Sequence, residues 1–477
     1  MYAKMGNVIA ALKVFESLGK GEAVAWNALL WGFSESAMNE EVFQIFLEMQ
    51  LEGMQLDAFT YAGLMKPFSD IAGLSAVRLL HVDIICEGFE SFIMVQNTLI
   101  VVYAKCGSIK DASSVFWLMQ KRSIVSWNSI MEGYGEQGHY SLVLQCFKGM
   151  REEGIIPDSV TFVCVLKACA SILSLSHGQL THANIVCKGF EANLYLVNTL
   201  IHMYATCGSF KDAKIVFARL QSTDLGTWNV MIGACVLYGC TAEALHLFYH
   251  MQYQGPNPGV MTFVNVLKAC ASSSLLHDGK HIHAEVIKRG FESDIFIGTT
   301  LVDMYAKCKC IDDARAVFDK LRNPNAITWA VIISGYAECG LSMEAFMLFK
   351  NMKEGDTIVD QGIMISLVKT CTNTQMQMQG YICHAFAIEH NLEYDSVVGN
   401  GLITMYATCG NIVDASVLFN RLPIRNTMTW NAFISGLTLP SNELAQNAHR
   451  VLTSFHEMVG ASIQPDIVTF ISILKVC

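Results

Sequence analysis

One tryptophan recurs at a fixed interval: Trp26, Trp127, Trp228, Trp329 and Trp430 stand 101 residues apart. Two further aromatic series keep the same step, Tyr2, Tyr103, Tyr204, Tyr305 and Tyr406, and Phe15, Phe116, Phe217, Phe318 and Phe419. Three independent rulers in register demand a linear array of similar units. A chain of 477 residues could otherwise hold several unrelated domains, and the repetition overrides that expectation.

The 101-residue cell subdivides. Val125-Ser126-Trp127-Asn128 is followed 35 residues on by Val160-Thr161-Phe162-Val163, 35 further on by Tyr195-Leu196-Val197-Asn198, and 31 later by the next tryptophan segment. The last cell is longer: Trp430 to Phe470 is 40 residues, where Trp127 to Phe162 is 35. The insertion falls within Thr438 to Ile463, near Pro440, and suggests an enlarged turn.

Each unit reads as a pair of helices. In the 31-residue unit a first helix ends in LIHMYATCG or its equivalent, with Gly107, Gly208 and Gly410 placed for a left-handed cap. The second helix carries Ala112, Val115, Phe116 and Met119 on one face. That face recurs as Ala213, Val216, Phe217, Leu220 and as Ala314, Val317, Phe318, Leu321. Pro157-Asp158 and Pro465-Asp466 are expected to stop a second helix and lead into the next unit. No strand period appears. One pair cannot bury its apolar face alone, but stacked pairs can. The expected fold is all-α, a right-handed superhelical solenoid of helix-turn-helix pairs.

Composition narrows the function. No run of 18 apolar residues exists, and the greasiest stretch, Phe92 to Ala104, is broken by Gln96, Asn97 and Thr98, so no membrane span is expected. A net charge of −10 argues against strong non-specific phosphate binding and leaves base edges and stacking open. The 17 cysteines form no compact framework, which suits free buried thiols in a reducing compartment. The opening MYAKMGNVIAALKVF reads as the inside of a unit, not as a signal or transit peptide. With neither end showing a polar cap, the chain is expected to be a piece of a longer protein.

Chemical motifs are few. His283-Ala284-Glu285 matches half of a zinc-deaminase signature, but the Pro-Cys-x-x-Cys half is absent. The histidine also belongs to a series, His81, His182, His283 and His384, which makes it a repeat residue. Cys106, Cys207, Cys308 and Cys409 recur at the same 101-residue step, too far apart to share a metal. No catalytic residue, metal or cofactor is expected, and the tryptophans are expected to pack between helices.

The segments MYAKCGSIKDASSVF, SWNSIMEGYGEQG, IIPDSVTFVCVLKACA and HAEVIKRGFESD resemble the pentatricopeptide-repeat family of plants, over the whole chain. The alternation of 35, 35 and 31 residues is similar to its subclass with P, L and S motifs. The resemblance implies thirteen repeats over residues 23–466, with P units at 23–57, 124–158, 225–259, 326–360 and 427–466. A partial S unit (1–22) would precede them and a partial L unit (467–477) follow. It further implies sequence-specific binding of single-stranded RNA, as a specificity adaptor in RNA editing or processing in a mitochondrion or chloroplast. Organellar editing-factor proteins would be partners through the L units; neither DNA nor a membrane is expected. Members of the subclass usually carry C-terminal extension domains, often a deaminase, and this sequence stops before any. The alternative is a protein-binding scaffold without RNA readout, which the acidic charge favours.

In that family a base is read by the fifth and the last residue of a unit. Carried over, Asn27 with Asp57, Asn128 with Asp158, Asn431 with Asp466 and Asn198 with Asp224 match the uridine pair. Thr299 with Asn325 fits adenine, Asn97 with Ser123 leans to cytidine, and Asn400 with Asn426 to a pyrimidine. Asn229 with Gly259 and Ala330 with Asp360 depart from the pattern. The L units, with Ala62, Val163, Val264 and Ile365 at the fifth position, would act as spacers or contact a protein. The implied readout is U-x-C-U-x-U-?-x-A-?-x-Y-U. Apolar second residues, Val24, Val125, Tyr195, Phe296 and Ile327, would flank the bases, and Gly226 would not. Without the family, an Asn near a helix start is a common cap and Pro-Asp a common turn.

Overall fold

The structure, a computed structural model, describes residues 2, 5, 7–18, 23–220, 222–254, 256–354, 361–374, 377–438 and 444–475. The described residues are helical and contain no strand. They form two compact units, Met1–Tyr238 and Gly239–Cys477.

Within the first unit, Ile124–Glu136 pairs with Tyr140–Glu152, Ser159–Ser171 with Leu175–Cys187, and Leu194–Thr206 with Phe210–Ala218. First helices also pack on one another in sequence: Ile124–Glu136 lies against Ser159–Ser171, which lies against Leu194–Thr206. The second unit repeats this scheme, with Val260–Ser272 against Ile295–Lys307 and that helix against Ala326–Glu338. A first helix is therefore covered on several sides. Ser159–Ser171 buries Phe162, Val163, Val165, Leu166, Ala168 and Cys169, which run almost around it. A second helix such as Ile311–Lys320 buries one stripe, Ile311, Ala314, Val317 and Phe318, and faces solvent elsewhere. Each unit is a solenoid of helical hairpins with the first helices inside.

The sequence rulers turn out to touch each other. Phe116 meets Trp127 edge-on with ring centroids 4.7 Å apart, and Phe15–Trp26, Phe217–Trp228, Phe318–Trp329 and Phe419–Trp430 repeat the contact at 4.6, 5.1, 4.7 and 4.7 Å. The histidine series meets the tyrosine series. Nδ1 of His81, His182, His283 and His384 lies 2.9, 2.8, 2.8 and 2.7 Å from the hydroxyls of Tyr103, Tyr204, Tyr305 and Tyr406. His283 is thus engaged in packing two neighbouring hairpins. Burial holds all four histidines below their ordinary pKa. Trp127 is 1 % exposed, as expected of a residue packed between helices.

Gly107, Gly208 and Gly410 have φ of +77°, +88° and +80°, the left-handed cap read from the sequence, and Lys309 fills the fourth such place at +61°. The Pro-Asp expectation needs correction. The helix Tyr140–Glu152 is stopped by Gly154 (φ +77°), whose N–H donates to the Arg151 carbonyl while that of Ile155 donates to Met150. Ser462 (φ +61°) does the same before Pro465. A left-handed residue already satisfies the last carbonyls, so the proline three residues later only sets an extended approach. The last cell's insertion lies partly in a longer second helix: Leu444–Gly460 has 17 residues where Tyr140–Glu152 has 13. Pro440 lies outside the described residues. No described helix is long and apolar enough to cross a membrane.

Candidate functional site

Where the last residue of an implied unit is described, it is the N-cap of the next first helix. Asp57, Ser123, Asp158, Asp224, Asn325, Asn426 and Asp466 all sit in extended backbone, and each side chain accepts from the N–H three residues on. The simple reading of these residues as caps is therefore correct for the last position. It fails for the fifth: Asn128 stands inside the helix Ile124–Glu136, beyond the capping turn.

Residues 30 apart in sequence, or 35 in the last cell, meet at these caps. Asn128 Nδ2 donates to Asp158 Oδ1 at 3.1 Å. Asn27 Nδ2 lies 3.0 Å from both oxygens of Asp57, and Asn431 Nδ2 lies 2.9 and 3.0 Å from those of Asp466. A third residue completes each cell. The Thr161 hydroxyl donates to Asn128 Oδ1 at 2.7 Å and lies 2.9 Å from Asp158 Oδ1. Thr60 reaches Asn27 Oδ1 at 2.8 Å, and Thr469 reaches Asn431 Oδ1 at 2.6 Å. These threonines are fully buried. The sequence reading missed them, although Ser or Thr three residues after a cap is the signal of a reciprocal capping box.

The threonine fixes which way the amide points. With Oδ1 on the hydroxyl and Nδ2 on the carboxylate, Asn128 keeps one N–H and one lone pair unused. One donor beside one acceptor is what the edge of a uracil, with its N3–H and carbonyls, can pair with. The carboxylate stays charged. Burial pushes Asp158 up, but the Thr161 N–H, the Thr161 hydroxyl and the Asn128 amide outweigh it and hold the carboxyl below its usual value. Thr227, by its hydroxyl and its N–H, does the same for Asp224, helped by Asn198.

The other pairs are looser. Asn198 helps hold Asp224, yet its Oδ1 is buried without a hydrogen-bond partner, as are Oδ1 of Asn97 and of Asn400. Thr299 meets Thr328 hydroxyl to hydroxyl at 2.7 Å, and Thr328 in turn bonds the cap Asn325 at 2.9 Å. Gly259 starts its helix without a side chain, Ala330 offers no polar atom, and Asp360 lies outside the described residues. The apolar fifth residues Ala62, Val163 and Val264 are buried in packing, and Ile365 is half-buried.

The apolar second residues point the other way. Val24, Val125, Tyr195, Phe296 and Ile327 are all more than half exposed at the start of first helices. Phe59, Val160, Met261 and Met428 continue the series, and the sequence reading had not named them as flanking residues. In the first unit, Val160, Val163 and Tyr195 border a cleft of about 460 Å³ laid across three first helices. The polar fifth residues and the exposed apolar second residues thus share the N-terminal halves of the inner helices.

A model of the PPR repeat family matches residues 21–70 and 122–171, and a model of the PPR repeat matches 97–124, 195–224, 226–256, 299–323 and 327–356. Together they span just over half of the chain, which belongs to the pentatricopeptide repeat family. A pentatricopeptide repeat-containing protein of Arabidopsis thaliana is 32 % identical over 482 residues, covering 100 % of this chain and 66 % of the relative. A mitochondrial and a chloroplastic Arabidopsis thaliana protein of the same description are each 29 % identical, with 100 % of this chain and 61 % and 58 % of theirs covered. The chain thus spans about three-fifths of the length of these relatives. Among solved structures, the maize pentatricopeptide repeat protein PPR10 superposes with a TM-score of 0.61 at 17 % identity, over 100 % of this chain and 74 % of that one. PPR10 in complex with an 18-nt RNA element gives 0.62 at 16 %, over 100 % and 75 %. The likeness establishes the solenoid fold.

Proposed function

We propose that this chain binds single-stranded RNA and reads bases through the paired fifth and last residues of its units. The observation that carries the reading is the Asn–Asp–Thr cell, which recurs at Asn27, Asn128 and Asn431 and leaves the Asn128 amide with one donor and one acceptor to spare. PPR10, which shares the fold, was solved with a bound RNA element, and that supports the same use of this scaffold. The units would follow the P, L and S order over residues 23–466. The chain would act as a specificity adaptor in RNA editing or processing, with protein partners on the L units. The catalytic step would be supplied by another domain or protein. A mitochondrial or chloroplast site of action follows the names of two of its relatives.

The test is a fluorescence-anisotropy titration at about 50 mM salt, with one RNA carrying the implied order U-x-C-U-x-U-?-x-A-?-x-Y-U and one with the same bases scrambled. Tighter binding to the ordered RNA is expected. Equal binding to both, or none, would leave a protein-binding scaffold as the better account, in line with the net charge of −10.

A further inference from the structure

An acidic chain that holds a polyanion must place its few cations where the backbone runs. One position on the first helices does so with regularity. Lys66, Lys167, Lys268 and Lys369 recur every 101 residues, each in the first helix of the middle unit of its cell. The same position in the other two kinds of unit varies from acidic to apolar, with Trp31, Val101, Glu132, His202, Asp303 and Ser334 among its occupants, and is never lysine or arginine.

Helix geometry puts these lysines on the face of the exposed apolar second residues. Lys167 follows the exposed flank Val160 by seven residues, close to two full turns, and so shares its face. Val160, Val163 and Lys167 all line the cleft of about 460 Å³ that Tyr195 also borders. The lysine is the exposed member of a buried run: Leu166 and Ala168 on either side are inaccessible. The ammonium groups of Lys66 and Lys369 are held lightly. Lys66 Nζ lies 3.4 Å from the Ser34 carbonyl, and Lys369 Nζ lies 3.9 Å from Glu338 Oε1, with both side chains well exposed in the second case. Exposed pairs of this kind contribute little, so a phosphate could displace them.

On the RNA-binding reading above, we infer that Lys66, Lys167, Lys268 and Lys369 contact the phosphodiester backbone, one contact for every three units. The middle units then do more than space the readers: they carry the charge that offsets the acidic remainder of the chain. Bases are fixed at the start of the first helices and the backbone two turns further along the same face.

The test uses the full 477-residue chain with Lys66→Gln, Lys167→Gln, Lys268→Gln and Lys369→Gln combined. A control removes four lysines from second helices, Lys110→Gln, Lys148→Gln, Lys288→Gln and Lys350→Gln. The dissociation constant for the ordered RNA is measured from about 50 to 200 mM salt. The slope of log K against log salt should fall by about 0.7 per lysine, about 2.8 in all, while the preference for ordered over scrambled RNA persists. The control should keep the wild-type slope. An unchanged slope with a lowered melting temperature would make the lysines tethers between helices and overturn the inference alone. An equal fall in the control would reduce it to net charge and overturn it too. Wild-type chain that binds neither RNA would sink the RNA reading itself, and this inference with it.

Discussion

Two kinds of cap junction both join a polar fifth residue, a polar cap and a hydroxylic residue, and they differ in how well they are closed. Behind the tryptophan-bearing units, Asn27, Asn128 and Asn431 give Nδ2 to an aspartate and take a threonine hydroxyl on Oδ1. Behind the 31-residue units, the third residue after the cap is again hydroxylic; at Thr328 it also meets the fifth residue, Thr299, but behind the other three it serves the cap only. Thr227 donates to Asp224 at 2.7 Å, Thr429 to Asn426 at 3.1 Å, and Ser126 lies 3.1 Å from Ser123. Asn97, Asn198 and Asn400 are left with a buried, unpartnered Oδ1. The shorter unit separates reader from cap by 26 residues, Asn97 to Ser123, where Asn128 to Asp158 is 30. The same Asn, Asp and Thr therefore yield a clamped amide at Asn128 and an under-satisfied one at Asn198. A buried polar atom without a partner costs roughly 1–3 kcal/mol. A ligand or water that satisfies it recovers part of that.

The comparison can be broken at several strengths. The largest effect belongs to the packing beneath both junctions. Trp127→Ala should cost about 3–5 kcal/mol of unfolding free energy, seen as a lower denaturation midpoint. Next comes the reader. Asn128→Ala should weaken binding of the ordered RNA by about 1–3 kcal/mol and flatten the preference at its own base. If Asn128→Ala were the folding mutant and Trp127→Ala the binding mutant, the placement of the units would be wrong.

A smaller effect separates the junctions directly. Thr161→Val removes a donor shared by Asn128 and Asp158, while Thr227→Val removes one used by Asp224 alone. Chemical denaturation should show the first variant less stable than the second by about 1 kcal/mol. Equal losses would mean that the clamp on Asn128 adds nothing. The smallest effect is acid dependence. The Asp158 carboxyl is held below its ordinary pKa, so its contribution is complete above roughly pH 4 and is lost as pH falls through the depressed folded value. Ser123 and Asn426 cap without a titrating group. Melting curves at pH 7 and pH 3 should therefore show a smaller drop for Asp158→Asn than for the wild-type chain.

Much of the fold could be read early because the rulers are packing residues. Trp127 and Phe116, or His182 and Tyr204, recur together because each touches the other, so their periods cannot drift apart. The readers were legible only through resemblance: nothing in the sequence around Asn128 announces a partner 30 residues away. Thr161 looked like any helical threonine and Lys167 like any solvated lysine. The stop before Pro157 was misplaced because a proline is conspicuous in sequence, whereas the left-handed turn at Gly154 does the capping.

By itself the sequence determined the array: an interval of 101 residues, two helices per unit and an apolar face that only neighbours can cover. Those follow from periodicity, and periodicity is local information. Tertiary structure decided which polar atoms are closed, which are left open and which lysines share a face with the flanking apolar residues. A hydrogen bond forms or fails over a few tenths of an ångström, and the offset between a 35-residue and a 31-residue hairpin is resolved only when the helices are packed.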